Sequence, residues 1–147
     1  LMGAIGRGVV VAVAISIGLA LTLGIVPQYP LMALAYVVLG AALLGALGIV
    51  AGIYANKFDQ MAAITNFVVT PLAFLSGTFY SVEALPPVLW YITHLNPMFY
   101  LIDGLRFAVI GVSDSPPALG AVIGVATTLG ISVLAYAMST RGTRLKA

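Results

Sequence analysis

The chain has 147 residues, 62% of them apolar, and its six basic and four acidic residues make up only 7% of the sequence. A soluble domain draws roughly a quarter of its residues from the charged set, so this chain could not cover a water-facing surface, and its hydrophobicity equally excludes a disordered tail. A mean hydropathy of +1.15 and 16 glycines point to an all-α membrane protein, since glycine is commoner in membrane helices than in soluble ones. There is no cysteine, which excludes disulfides and thiolate metal sites, and a net charge of +2 is too small to suggest nucleic acid as a partner.

Crossing a hydrocarbon core of about 30 Å takes roughly 20 helical residues. No residue from Gly8 to Asn56 is charged, a stretch long enough for two crossings. Pro27-Gln28-Tyr29-Pro30 divides it, because each proline lacks a donor and restricts the residue before it. Span one is predicted over about Val9 to Val26 and span two over Leu31 to Ala55. Arg7 before an apolar run resembles a signal peptide. The run exceeds the usual apolar region of such peptides, however, and no small-x-small cleavage pattern lies near Pro27, so a true span is the better reading. Residue 1 is Leu, and Met2 precedes a glycine-rich lead; the missing initiator suggests a fragment that lacks its amino-terminal part.

Asn56 to Gln60 is a short polar turn, and Met61 to Tyr80 is predicted as span three. Asn66, Thr70, Ala73 and Gly77 follow a +4, +3, +4 spacing that forms one polar or small stripe. Pro71 sits mid-span, where it releases the carbonyl of Phe67, kinks the helix and makes two arrangements of its halves easier to reach. Such a stripe serves either close helix packing or the wall of a translocation pathway. Span four is predicted from Ala118 to Met138. Gly48-x-x-x-Gly52 in span two and Gly120-x-x-x-Gly124 in span four are spacings that let helix backbones approach closely.

Residues 81–117, between spans three and four, are too apolar for a solvated loop and too broken to span. Pro86-Pro87 opens a run that passes through Trp90, Tyr91 and His94 and closes at Asn96-Pro97. Asn96 is a natural N-cap and Pro97 a natural first-turn residue for a second helix, Met98 to Ile110. Two short apolar helices joined there are predicted to form a re-entrant hairpin over residues 81–110, entering from the outer side, with Glu83 near its start. Non-helical backbone at membrane depth needs protein or a water-filled cavity around it. Asp103 and Arg106, three apart on one face, can form an ion pair, serving either to make a partly buried helix tolerable or to latch an outer gate.

Charge placement orients the bundle. Arg7, Lys57, Arg141, Arg144 and Lys146 fall on one side and only Arg106 on the other, a positive-inside bias that puts both ends of the chain in the cytoplasm. An enzyme finds little support. His94 is the lone histidine, Ser76 lacks the leading glycine of a Gly-x-Ser pattern, and there is no Gly-x-x-x-x-Gly-Lys phosphate loop.

Lys57-Phe58-Asp59-Gln60, Asn66-Phe67-Val68-Val69-Thr70-Pro71-Leu72, Leu75-Ser76-Gly77-Thr78-Phe79-Tyr80, Leu85-Pro86-Pro87, Leu95-Asn96-Pro97 and Tyr100-Leu101-Ile102-Asp103-Gly104-Leu105-Arg106 occur in that order. This string resembles the carboxy-terminal half of type-2 ATP-binding-cassette transporter permeases, bacterial exporter subunits for drugs, polysaccharides and lipid-linked compounds. The resemblance implies the last four of six spans, with the outer hairpin between the fifth and sixth. It implies that Lys57, Phe58, Asp59 and Gln60 lie near an ATP-binding-cassette ATPase subunit, and that Asn66 and Thr70 face the dimer axis and pathway. It further implies a second permease copy as partner, with no cofactor in this chain because ATP and Mg belong to the ATPase. A non-transporting tetraspan scaffold or assembly subunit accounts equally well for the spans, glycine pairs and charge bias. It does not account for a polar stripe beside a mid-span proline, nor for the hairpin.

Overall fold

In the computed structural model, residues 1–55, 57–77 and 84–140 are described, apart from the side chain of Phe58. Asn56, the Thr78-Phe79-Tyr80 end of span three, Glu83, and the cations Arg141, Arg144 and Lys146 lie outside the described residues. Every described element is helical. In chain order they are α1 (Met2–Leu23), α2 (Pro30–Tyr54), α3 (Phe58–Ile64), a π turn (Thr65–Val69), α4 (Thr70–Phe74), α5 (Pro87–Leu95), α6 (Pro97–Ile110) and α7 (Pro117–Thr140).

Among the described residues, α1, α2 and α7 are long and apolar enough to cross a membrane. Helix α1 starts at Met2, ahead of Val9, so Arg7 lies within its second turn. It stops at Leu23 because Gly24 adopts the left-handed conformation, φ 66°, and the N–H groups of Gly24 and Ile25 turn back onto the carbonyls of Ala20 and Leu19. Pro30 then opens α2 at a position where a missing N–H costs nothing.

The third expected span is a continuous helical path from Phe58 to Phe74, but not a regular one. Pro71 cannot donate a hydrogen bond, and its ring would collide with the carbonyl four residues back in an α-helix. The preceding turn opens instead into a π turn, in which the Thr70 N–H bonds the carbonyl of Thr65, five residues back. The Thr70 hydroxyl donates to the same carbonyl at 3.2 Å.

Helix α2 is the centre of the bundle and packs against α1, α6 and α7, while α6 also packs on α7. Tyr36, Leu43, Met98 and Leu101 form the buried core, with Leu72 and Leu105 packed against its edge; Phe99 and Tyr100 form a second cluster with Leu85 and Ile123. Lipid is as apolar as leucine, so these contacts gain little from leaving the solvent and depend on close fit. Gly104 supplies that fit on α6, since a Cβ there would overlap the ring of Tyr36. The Tyr36 hydroxyl passes the glycine to donate to the Pro117 carbonyl at 2.9 Å.

The two glycine pairs behave differently. A Cβ at Gly124 would come within 2.6 Å of Leu101 Cδ2, and one at Gly120 within 3.2 Å of the Tyr100 carbonyl, so this pair brings α7 onto α6. At Gly48 and Gly52 a Cβ would meet nothing within 4 Å among the described residues. Helix α1 has no buried residue and among the described helices packs on α2 alone, with Ala4 against Gly45 and Gly8 against Ala41.

Candidate functional site

Helix α6 is the element on which the rest converges. At its start, Asn96 does two tasks with one amide. Its Oδ1 accepts the Met98 N–H at 3.0 Å, capping a helix whose first residue, Pro97, needs no donor. Its Nδ2 donates to the carbonyl of Leu72, 24 residues earlier, at 2.7 Å. Leu72 is in the last turn of α4, where a carbonyl has lost its intrahelical partner. One buried side chain therefore begins one helix and closes another.

The far end of α6 has orphan carbonyls of its own. The loop between α1 and α2 supplies the donors, Gln28 N–H to Val109 at 3.2 Å and Tyr29 N–H to Ala108 at 2.9 Å. The Tyr29 ring stacks on Phe107, centroids 5.7 Å apart.

Between these ends lies the charged cluster. Asp103, 1% exposed, accepts the N–H of Asp114 at 2.8 Å, the N–H of Ser115 at 2.9 Å and the Ser115 hydroxyl at 2.6 Å. Arg106 lies 3.8 Å from Asp103, the i,i+3 pair read from the sequence, but its tighter partner is Asp114 at 2.9 Å. Its other nitrogen donates to the carbonyl of Gly77. Asp103 and Arg106 thus join α6 to the segment that opens α7 and to the residues that follow α4.

The hairpin aromatics pack around its first helix. His94 stacks on Trp90, centroids 3.9 Å apart, with Nδ1 2.9 Å from the Trp90 carbonyl. Its own carbonyl accepts the Tyr100 hydroxyl at 2.9 Å. Pro86 is the N-cap of α5 and Pro87 its first residue. Ser76 directs its hydroxyl to Ala73.

The stripe on the third path is split by the π turn. Asn66 and Thr70 are exposed, whereas Ala73 is half-buried and Gly77 buried. Lys57 is the exposed residue that precedes α3, Asp59 is exposed in its first turn, and Gln60 N–H bonds the Lys57 carbonyl at 3.1 Å. Lys57 and Asp59 form no ion pair among the described residues, and Asp59 is favourably sited at the positive end of its helix.

Asp114, Ser115, Gln28, Tyr29 and Tyr36 are the junction residues that sequence reasoning misses. Asp114-Ser115 before Pro116-Pro117 carried a weak signal, a polar pair ahead of an apolar helix. Tyr36, inside an apolar run, carried none.

The sequence profile of the ABC-2 type transporter family matches residues 1–110, the chain as far as the end of α6. The chain is similar to the inner membrane transport permease YadH of Escherichia coli K12, 35% identical over 136 residues, which is 90% of this chain and 48% of that protein. It is also similar to nodulation protein J of Neorhizobium galegae, 38% identical over 78 residues, 52% of this chain and 30% of that one. The chain thus spans about half the length of the curated relatives it matches, or less. No solved structure matches it significantly. With the family profile covering three of the helices that meet in the core, and a relative aligned along nearly the whole chain, this chain belongs to the ABC-2 type transporter family.

Proposed function

We propose that the chain is the carboxy-terminal part of the permease subunit of an ATP-driven exporter. In this reading it crosses the cytoplasmic membrane four times, by α1, α2, the α3–α4 path and α7, with α5 and α6 as a re-entrant hairpin from the outer side. The observation that carries the reading is how α6 is held. At about 21 Å it is too short to cross, and its start is bonded to Leu72 of the third path while its end is bonded to the loop between α1 and α2. Gly104 meets Tyr36 in α2, and further along α6 Ala108 and Val109 meet Tyr29 and Gln28, which precede α2. These contacts are those of a helix lying antiparallel to the outer half of α2. Membership of a transporter family weighs against a tetraspan scaffold.

The cations supply the orientation, with Arg7, Lys57, Arg141, Arg144 and Lys146 cytoplasmic by the positive-inside bias. YadH is named as an inner membrane protein, which supports the same compartment. Lys57, Phe58, Asp59 and Gln60 then face the cytoplasm and form the contact for an ATP-binding-cassette ATPase. That partner binds ATP and Mg and does the chemistry, since this chain has no phosphate loop. A second permease copy completes the pathway. Asn66 and Thr70, polar and exposed on the third path, face an amphiphilic, lipid-linked, polysaccharide or drug-like substrate that moves by alternating access.

The test is Lys57→Ala with Asp59→Ala in the full-length subunit, reconstituted with its ATPase. Substrate-stimulated ATP hydrolysis is expected to fall by roughly fivefold, the equivalent of about 1 kcal/mol of coupling, while membrane insertion stays normal. Unchanged stimulation would remove these residues from the ATPase contact.

A further inference from the structure

We propose that the π turn Thr65–Val69 is a hinge, about which α3 swings as an inner arm while α4 stays fixed to α6. Three observations converge on it. The first is the contrast in packing along one continuous helical path. On the outer side, Leu72 lies against the core, Asn96 holds the Leu72 carbonyl and Arg106 holds that of Gly77. On the inner side, α3 packs on no helix but α2 among the described residues, apart from the π turn that continues it. The π turn itself packs on no helix but its two continuations among the described residues, none of its residues is buried, and Phe67 is 81% exposed.

The second is the backbone. Pro71 removes the bond that would tie α4 to the carbonyl of Phe67, so the helix is already uncoupled at the place where its packing changes. The third is Thr70, which gives the Thr65 carbonyl two donors, the N–H and the hydroxyl. A backbone carbonyl left bare at membrane depth costs several kcal/mol, and that cost would ordinarily lock the turn. Here the Thr70 N–H can transfer from Thr65 to the carbonyl of Asn66, closing an α-turn, while the hydroxyl keeps Thr65 bonded. Pro71 leaves one carbonyl without a helical donor in either state, Asn66 in the π turn and Phe67 in the α-turn, so the exchange bares no additional group. An arm of about 10 Å that bends by about 30° moves its far end by about 5 Å.

The hinge stands on this geometry; only its driver, the ATPase pushing on Lys57 to Gln60, rests on the proposed function. The chain contributes no native thiol, which suits distance measurement by spin labels in the full-length subunit with its ATPase in lipid nanodiscs. Ala62→Cys with Ser139→Cys reports the inner arm against α7, and Phe74→Cys with Ala118→Cys reports the outer part. Without nucleotide, the inner distance distribution is expected to be broader than the outer by about 5 Å. Pro71→Ala restores the missing donor and is expected to narrow it to the outer pair's width. Thr70→Val, nearly isosteric, removes the spare donor and is expected to narrow it as well, and it carries the test alone if the proline variant fails to insert. An inner distribution as narrow as the outer, or one that neither substitution narrows, would overturn the hinge. Addition of ATP tests the driver separately: a broad inner distribution that ATP leaves unmoved keeps the hinge and removes the ATPase as its cause.

Discussion

At Asp103 one carboxylate holds three donors from the segment before α7, while the cation beside it belongs mainly to Asp114. The division of labour has consequences for substitution. Asp103→Asn keeps an acceptor oxygen but puts an amide nitrogen against a backbone N–H. Asp103→Leu leaves both backbone donors and the serine hydroxyl without a partner, each a cost of roughly 1–3 kcal/mol. The leucine variant is expected to be the less stable of the two by about 2 kcal/mol or more, read as the lower thermal midpoint of the purified full-length subunit. Arg106→Gln removes the cation that is bonded to Asp114 and lies beside Asp103. Because that side chain is 24% exposed, its loss is expected to cost about 1–3 kcal/mol, below the 3–5 typical of a fully buried pair. A midpoint equal to wild type in Arg106→Gln would show that Gly77 and Asp114 do not depend on it.

Among the elements, α5 and α6 were the most legible in the sequence. Asn96-Pro97 is a local signal, a cap followed by a residue that needs no donor, and local signals survive whatever the rest of the chain does. What could not be read is the second use of Asn96, because Leu72 is 24 residues away and only folding brings it near. The same holds for Arg106. Its i,i+3 neighbour Asp103 is found by counting along a helix, whereas Asp114 reaches it around the end of α6 and through a turn. Pro71 announced a fault in the third path without showing its form, since a kink and a π turn both relieve the same clash. The double role of Asn96 can be separated. Asn96→Ser keeps a capping oxygen but is too short to donate to Leu72, while Asn96→Ala loses both. The alanine variant is expected to be less stable than the serine variant by about 1 kcal/mol, the worth of a cap. Equal losses would mean that the bond to Leu72 carries the whole effect.

Over the whole molecule, membrane helices gain little from burying leucine, so what fixes their arrangement is polar and geometric. Tyr36 reaching past Gly104 to Pro117, Tyr29 stacked on Phe107, and the Asp103 cluster are three such devices, and all touch α6. Toward the opposite end of α2, Gly48 and Gly52 meet no described residue within 4 Å. The orientation proposed above puts the α6 end outside and Lys57 inside. Single cysteines at Val112 and Lys57 in the full-length subunit test it with a membrane-impermeant maleimide on cells whose outer face is accessible. Val112→Cys is expected to be labelled in intact cells and Lys57→Cys only after the membrane is opened; the reverse pattern would invert the topology.

The bonds of Asp103 bear on the order in which the protein is made. The donors to its carboxylate belong to Asp114 and Ser115, which are synthesised after it. In the re-entrant arrangement proposed above, a hairpin that seats before they leave the ribosome carries a buried carboxylate with only Arg106 beside it, and hydrocarbon offers no water in place of the missing donors. In that arrangement, the seating of α6 is expected to wait for the start of α7 to emerge.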